Sequence, residues 1–437
     1  MIAKRILKEI IIGQRKLFLD TSDSFIREIL DSPDVEKAIL KTDEIIIITG
    51  VRRCGKSYLL RLIWQKIKNK TKTTDEQFLY LNFEDERLID FEPGDFNLLL
   101  ESYFELFEVN KKKKIYFFLD EIQNVPGWQK FLNRLRENKN YKVFISGSNA
   151  TLLSKEISTQ LTGRNIPLHL YPFSFREFLL SQLPDFKEKD IYDLDRKPKI
   201  KKLFNKYLKN GGFPEIIKTN YRPLLQEYLR NIIYRDIVLR YRIKYEASLR
   251  EVVNFLLTNI GNIMSLKQIA KMTKIKNIGT VKNYLKYLED SFLFDFIPMH
   301  SYSIKRQIYN PDKIYICDLG IYNEIGFKFS QNQGKSLENF VFLELKRKGL
   351  KIYYLRDSTC GEIDFIIFEK NKVGLLVQSC FDPSHLQTKE REVGSLLGAM
   401  AKYRLKTGYI LTDDYETEKK YPEGKIYFIP AWRYFLE

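Results

Sequence analysis

Between Glu44 and about Leu170 the chain carries short, nearly continuous apolar runs, Ile45 to Thr49, Phe78 to Asn82, Ile115 to Leu119 and Val143 to Ser146, separated by stretches with helical spacing. Runs that are apolar at every position belong to strands buried on both faces, and such strands are parallel, so this region predicts an open α/β sheet. The first 40 or so residues instead alternate apolar and charged positions at helical spacing, as in Ser24-Phe-Ile-Arg-Glu-Ile-Leu, and predict a leading helix or two. Pro172-Phe-Ser-Phe-Arg-Glu-Phe opens a Leu- and Phe-rich helical region that reaches roughly Tyr245, broken by the turn Asn210-Gly-Gly-Phe-Pro. From about Ser248 to Met299 three short helices precede an apolar strand pair. Ser265 to Met272 is the second helix and Gly279 to Leu288 the third, the outline of a winged helix. From about Gly334 helix and strand patterns alternate again, without internal repeats. The expected divisions are 1–172, 173–247, 248–333 and 334–437.

A chain of 437 residues exceeds one ordinary core and suits two or three domains. Its 73 Lys and Arg against 56 Asp and Glu leave a net charge of +17, which concentrates polyanions around the surface and makes nucleic acid the expected partner, DNA ahead of RNA. The four cysteines, Cys54, Cys317, Cys360 and Cys380, include no CxxC pair, which argues for a reduced, cytoplasmic setting and against a zinc ribbon. Three scattered histidines exclude a histidine-built metal centre. No apolar run approaches the roughly 18 to 20 residues that span a bilayer, and the N-terminus lacks the pattern of a signal peptide, so a soluble protein without membrane association is expected.

The most specific motif is Gly50-Val-Arg-Arg-Cys-Gly-Lys-Ser57, which fits GxxxxGK[ST] between an apolar strand and the helical pattern that starts at Tyr58. Residues Gly50, Val51, Arg52, Arg53, Cys54, Gly55, Lys56, Ser57 and Tyr58 form the expected ATP-binding segment. The glycines let backbone amides turn toward phosphates at a helix N-terminus. Lys56 is expected to reach the β- and γ-phosphates and the Ser57 hydroxyl to ligate Mg²⁺. The strand Ile115-Tyr-Phe-Phe-Leu ends in Asp120, a second magnesium ligand, directly or through water, and Glu121, placed to polarise the attacking water. After Val143 to Ser146, Asn149 is the expected contact to the γ-phosphate or lytic water, with Ser148 as the alternative. Arg164, in Thr162-Gly-Arg, is a candidate to stabilise transition-state charge, within the chain or across a subunit interface of a homo-oligomer.

Together with Tyr80-Leu-Asn-Phe-Glu-Asp-Glu-Arg-Leu, Phe118-Leu-Asp-Glu-Ile-Gln, Ser146-Gly-Ser-Asn, Leu161-Thr-Gly-Arg, Pro172-Phe-Ser-Phe-Arg-Glu-Phe and Gly211-Gly-Phe-Pro-Glu, these residues resemble the prokaryotic AAA+-type ATPases that pair a P-loop domain with a C-terminal domain of unassigned function. The resemblance covers most of the chain. It implies an α/β P-loop sheet in the AAA+ strand order, a helical lid after Arg164, a winged-helix segment and a C-terminal α/β domain similar to restriction endonucleases. That last likeness rests on Glu338, on Gly361-Glu-Ile-Asp364 and on the strand ending Gln378-Ser-Cys380, where an active centre of this type would want an acid at 378 and a lysine at 380. With Gln and Cys there, the expectation is a nuclease fold without nuclease activity, unless a lysine from elsewhere, such as Lys346, takes the role. The functional expectation is a Mg²⁺-dependent ATPase coupled to a nucleic-acid-directed C-terminal half. The alternatives are an ATP-dependent switch acting on a protein partner and an ATP-regulated nuclease.

Overall fold

The computed structural model describes residues 2–20, 25–150, 163–303, 305, 307, 310–326, 333–370 and 372–437. They fall into two compact units, Met1–Tyr171 with Asp290–Phe292, and Pro172–Glu289 with Leu293–Glu437.

The first unit is built on five strands, β1 (Ile45–Thr49), β2 (Phe78–Asn82), β3 (Ile115–Asp120), β4 (Tyr141–Gly147) and β5 (Asn165–His169), in the order β2-β3-β4-β1-β5. Every pairing is parallel, as the uninterrupted apolar runs require. Successive side chains alternate across the sheet. Ile45, Ile47, Leu79, Leu81, Phe117 and Ile145 face a core closed by the helices Lys4–Leu19, Asp95–Leu106 and Trp128–Glu137. On the other face Trp64, in the helix Lys56–Thr71, lies 4.5 Å from Phe78, and Phe118 stacks on Phe144 at 4.8 Å.

Two elements depart from the sequence pattern. β5 reads Asn-Ile-Pro-Leu-His, only half-buried and with Pro167 inside it, which is the composition of an edge strand rather than of the apolar runs beside it. The Ser24 to Leu30 stretch is no α-helix over its described residues: a short 3-10 turn, Glu28–Asp31, precedes the second helix, Pro33–Lys41. Pro33 disfavours helix in the residue before it. Arg27, moreover, turns inward, its guanidinium donating to the carbonyls of Cys54 (2.9 Å) and Tyr171 (2.6 Å).

The second unit starts with the helices Phe175–Gln182, Lys197–Asn210, Pro214–Thr219 and Leu224–Asn231 and a π-helical run, Ile232–Leu239. Helices Glu246–Thr258, Leu266–Met272 and Ile278–Asp290 follow, with a small antiparallel sheet of β6 (Ile263–Met264), β7 (Phe294–Ile297) and β8 (Asp312–Ile316) in the order β6-β8-β7. After the helix Gln333–Arg347 comes a mixed six-stranded sheet of β9 (Lys351–Asp357), β10 (Gly361–Glu369), β11 (Lys372–Ser379), β12 (Thr407–Thr412), β13 (Thr417–Tyr421) and β14 (Gly424–Pro430), ordered β13-β14-β12-β11-β10-β9. The helix Leu386–Tyr403 makes the crossover between parallel β11 and β12 and covers Ile363, Ile366, Leu376 and Ile410.

The motifs at Pro172 and Gly211 meet in the core of this unit. The Ser174 hydroxyl and the Glu177 carboxylate cap the helix Phe175–Gln182 reciprocally. A Cβ at Gly212 would stand 2.3 Å from the Phe173 carbonyl oxygen, so only glycine permits the 2.7 Å bond from Phe173 N to Gly212 O. The buried Asp318 carboxylate accepts from the amides of Gly212 (2.6 Å), Gly320 (2.8 Å) and Ile321 (3.4 Å), while Arg347 donates to the carbonyls of Pro172 and Phe173. Burial pushes the Asp318 pKa up to about 6 against the opposing pull of those amides. Replacing Asp318 by Asn turns one acceptor into a donor facing an amide, and should lower the stability of this unit by about 2 kcal/mol in urea denaturation; an unchanged midpoint would show that the clamp does not depend on this carboxylate.

Candidate nucleotide-binding site

Because β4 stands between β1 and β3, the loop after β1 and the acids at the end of β3 open onto one cleft at the carboxyl ends of the strands. The loop is fixed by close packing. A Cβ on Gly50 would lie 2.1 Å from the Leu170 carbonyl oxygen, next to the 2.7 Å bond from Leu170 N to Thr49 O. Gly55, at φ +99°, makes the turn into the helix Lys56–Thr71, and Arg53 is left-handed as well at φ +72°. Cys54 is buried beneath the loop and burial pushes its thiol pKa up, so it is a packing group.

Lys56 is buried, with Nζ 3.2 Å from Gly50 O, 3.4 Å from Val51 O and 3.4 Å from Glu121 Oε1. Glu121 takes a left-handed backbone conformation, φ +51°, which turns its side chain toward the loop, and its other oxygen accepts from the Ser148 amide at 3.2 Å and from Gln123. Burial acts to raise the Glu121 pKa, but the charges of Lys56 and Arg52 and the Gln123 hydrogen bond outweigh it and hold the group below the ordinary carboxylate range. Burial and the adjacent Glu121 push Asp120 above that range, against hydrogen bonds from the Ser146 and Ser57 hydroxyls. The Tyr80 hydroxyl donates to Asp120 Oδ2 at 3.0 Å.

The structure therefore brings Lys56, Ser57, Asp120, Glu121 and Ser148 together, with Asn149 fully buried one residue beyond. Ser57 and Asp120 present hard oxygen donors to each other, a set that fits Mg²⁺. Arg52 pairs with Glu84 at 2.7 Å, and the Tyr58 hydroxyl holds the backbone of Phe25. A cleft of about 450 Å³ beside the loop is lined by Phe18, Ser57, Tyr58, Arg61, Tyr80 and Asp85. Tyr80, Ser146 and Arg27 were not singled out from the sequence; the first two lie inside quoted motifs, where a polar residue in a buried strand was the available signal. Arg164 stands apart from this group. It precedes β5, its carbonyl accepts from Ile45 N, and β5 runs parallel to β1 with Thr49 opposite His169, so Arg164 lies about 16 Å, at about 3.3 Å per residue, from the loop end of the sheet. Within its own chain it does not reach the cleft.

In the second unit Glu338 and Asp364 also converge, but on a lysine that sequence reasoning missed. Lys313, in β8, has Nζ 2.7 Å from Asp364 Oδ1, 2.8 Å from Glu338 Oε1 and 3.0 Å from Glu362 Oε1. Lys346, the expected stand-in, pairs with Asp295 instead. Gln378 bonds to the Asp364 amide, the Glu362 carbonyl and Glu392, and Cys380 packs in the core, its thiol pushed by burial up to about 11. The signal for Lys313 was a lysine, next to Asp312, at the start of the otherwise apolar strand β8.

A family model described as an AAA domain matches residues 42–179, and a domain of unknown function matches residues 201–332. An uncharacterized protein of Methanocaldococcus jannaschii is 35% identical over 100% of this chain and 96% of its own length, and one of Haemophilus influenzae is 32% identical over 90% and 94%. This chain belongs to the prokaryotic AAA+-type P-loop ATPase family. The AAA match spans β1 to β5 and includes Lys56, Ser57, Asp120, Glu121, Ser148 and Asn149. Among solved structures, the Aeropyrum pernix ORC1 protein in complex with DNA overlaps 71% of this AAA+ chain and 95% of its own at 12% identity, with a TM-score of 0.31. No helix among the described residues is long and apolar enough to cross a membrane.

The tight seat of Gly50 makes its own test. Gly50→Ala must push Leu170 away from the loop, and should reduce nucleotide binding by at least tenfold in fluorescent-nucleotide titration; wild-type affinity would show that the loop tolerates a side chain there.

Proposed function

We propose that this AAA+ protein binds ATP with Mg²⁺ at the tips of β1, β3 and β4 and hydrolyses the β–γ phosphoanhydride, passing its nucleotide state to a nucleic-acid-binding C-terminal half. The observation that carries the reading is the Lys56–Glu121 pair at 3.4 Å, flanked by Asp120 and Ser57. A cation for phosphate, a base for water and a pair of oxygen ligands for the metal share one buried cleft.

Incoming phosphates compete for the Lys56 ammonium, and the ion pair that opens leaves Glu121 ionised and free to take a proton from water. The amides of Val51 to Gly55 turn around the phosphates, with Arg52 and Arg53 at the rim and Tyr58 on the first helical turn. Ser57 and Asp120 would hold Mg²⁺, which would supply positive charge to the transferring group. Ser148, through its amide, keeps the Glu121 carboxylate aimed, and Asn149 contacts the γ-phosphate or the water. Arg164, at the end of β5 far from its own cleft, serves a neighbouring copy in a homo-oligomer.

The helices Leu266–Met272 and Ile278–Asp290 with β7 and β8 form the winged-helix segment of this reading. Lys267, Lys271, Lys274, Lys276, Lys282 and Lys286 are all exposed on or beside the two helices, a charge display that suits a phosphate backbone, with DNA preferred over RNA.

Lys56→Ala should abolish ATP turnover, and Glu121→Gln should keep nucleotide binding while slowing hydrolysis by ~10² to 10⁴-fold, the loss expected when a positioned base is removed. Wild-type turnover in the first variant sinks the site, and loss of binding in the second makes Glu121 a structural group. Neutralising Lys274, Lys276, Lys282 and Lys286 together should weaken DNA binding across sequences and flatten its salt dependence. Turnover that responds to no nucleic acid, with DNA affinity unmoved in the quadruple variant, would favour a switch acting on a protein.

A further inference from the structure

Carboxylates that converge away from water need a cation, because each ionised oxygen left without a partner is costly there; that applies to Glu338 and Asp364, whose side chains are 7% and 13% exposed, with Glu362, 43% exposed, joining them from the surface. In nuclease-like centres a divalent ion is that cation. Here Glu338, Glu362 and Asp364 meet at a single point, and the Lys313 ammonium stands there at 2.7 to 3.0 Å from an oxygen of each. The Lys313 side chain has 0% of its surface exposed and sits on the central strand of a three-stranded sheet, so it has little room to swing away.

The other oxygens of Asp364 and Glu338 are engaged as well. Asp364 Oδ2 accepts from Ser379 N at 2.9 Å, Glu338 Oε2 pairs with Lys335 at 3.1 Å, and Tyr315 donates to Glu338 Oε1 at 2.7 Å. Gln378 adds no charge, and its amide nitrogen points to Glu392. Among the described residues no group of three or more His, Cys, Asp or Glu side chains is arranged to hold a metal ion. The divalent ion that a nuclease-like fold implies does not fit this donor set while the ammonium is in place. Yet a cleft of about 510 Å³, lined by Glu338, Glu362, Asp364, Gln378, Arg391 and Glu392, still opens onto it.

We propose that Lys313 is a built-in cation occupying the divalent-metal position of this centre, so that the C-terminal domain excludes divalent ions and does not cleave phosphodiesters, and that removing the ammonium restores a divalent-ion site. The lysine is one the chain supplies from β8, outside the strands that carry the acids, and its charge is permanent where a metal would exchange. A pocket that keeps its shape and loses its metal is fit to hold a nucleic-acid strand or peptide without cutting it.

The test counts Mn²⁺ bound to nucleotide-free, full-length protein by electron paramagnetic resonance. Lys313→Met should bind one Mn²⁺ per chain more than wild type and lose it again when Asp364→Asn is added, and Mn²⁺ should raise the melting temperature of Lys313→Met alone. In wild type, Asp364→Asn should leave the Mn²⁺ count unchanged, and no DNA, duplex or single-stranded, should be cut with Mg²⁺ or Mn²⁺. Wild-type Mn²⁺ binding or cleavage that disappears on Asp364 substitution overturns the proposal, as does a folded Lys313→Met that gains no ion. If that variant does not fold alone, refolding in Mn²⁺ against a chelator gives the same reading: recovery only with Mn²⁺ supports it, and recovery in neither overturns it.

Discussion

Adjacent acids at the tip of β3, Asp120 and Glu121, are buried side by side, and two like charges in that position destabilise one another unless something else neutralises them. The fold answers by strand order. With β4 inserted between β1 and β3, a lysine arrives from the loop after β1, hydroxyls from Ser146 and Ser57, a phenol from Tyr80 on β2, and an amide from Ser148. They come from the ends of β1, β2 and β4, so the arrangement exists only when these strands and β3 are in register. The sheet is thus the precondition of the charge pattern in the cleft.

How far this was legible in the sequence follows from which interactions are local. The strands β1 to β4 announce themselves because a parallel strand buried on both faces has no polar positions, and the loop Gly50–Ser57 because its spacing is fixed by backbone geometry. β5 was invisible for the converse reason: an edge strand with Pro167 and polar ends satisfies only one neighbour and carries no apolar signature. Arg27 was invisible because its partners, Cys54 and Tyr171, lie 27 and 144 residues away. Arg164 was placed by its neighbours in sequence, whereas its distance from the cleft is set by the direction of β5, which sequence adjacency does not encode.

The second unit repeats the lesson with a different outcome. Glu338, Asp364, Gln378 and Cys380 could be aligned as a nuclease-like set from spacing alone, and their departures noted. What completes the set, Lys313, belongs to another sheet and is brought in by tertiary packing. Buried ammonium groups recur in this protein: Lys142 donates to the carbonyls of Ala38, Thr42 and Glu44, where no carboxylate is close enough to bond it. Lys56, Lys142 and Lys313 show the same side chain used against a carboxylate and loop carbonyls, against carbonyls and a hydroxyl, and against three carboxylates.

The clamp of Pro172, Gly212, Asp318 and Arg347 bears on how the chain is made. Every strand pairing of the first unit lies between residues 45 and 169, so its sheet can close on the ribosome soon after Tyr171 emerges. The second unit has no such early option. Its opening helix waits for Glu344 to bond the Phe175 amide and for Arg347 to hold the Pro172 and Phe173 carbonyls, partners synthesised about 170 residues later. At the usual 5 to 20 residues per second that is a delay on the order of ten to thirty seconds, during which Phe173, Phe175, Phe178 and Phe204 have no finished core to enter. Those aromatics are therefore what chaperones would meet during synthesis, after the sheet of the first unit has closed.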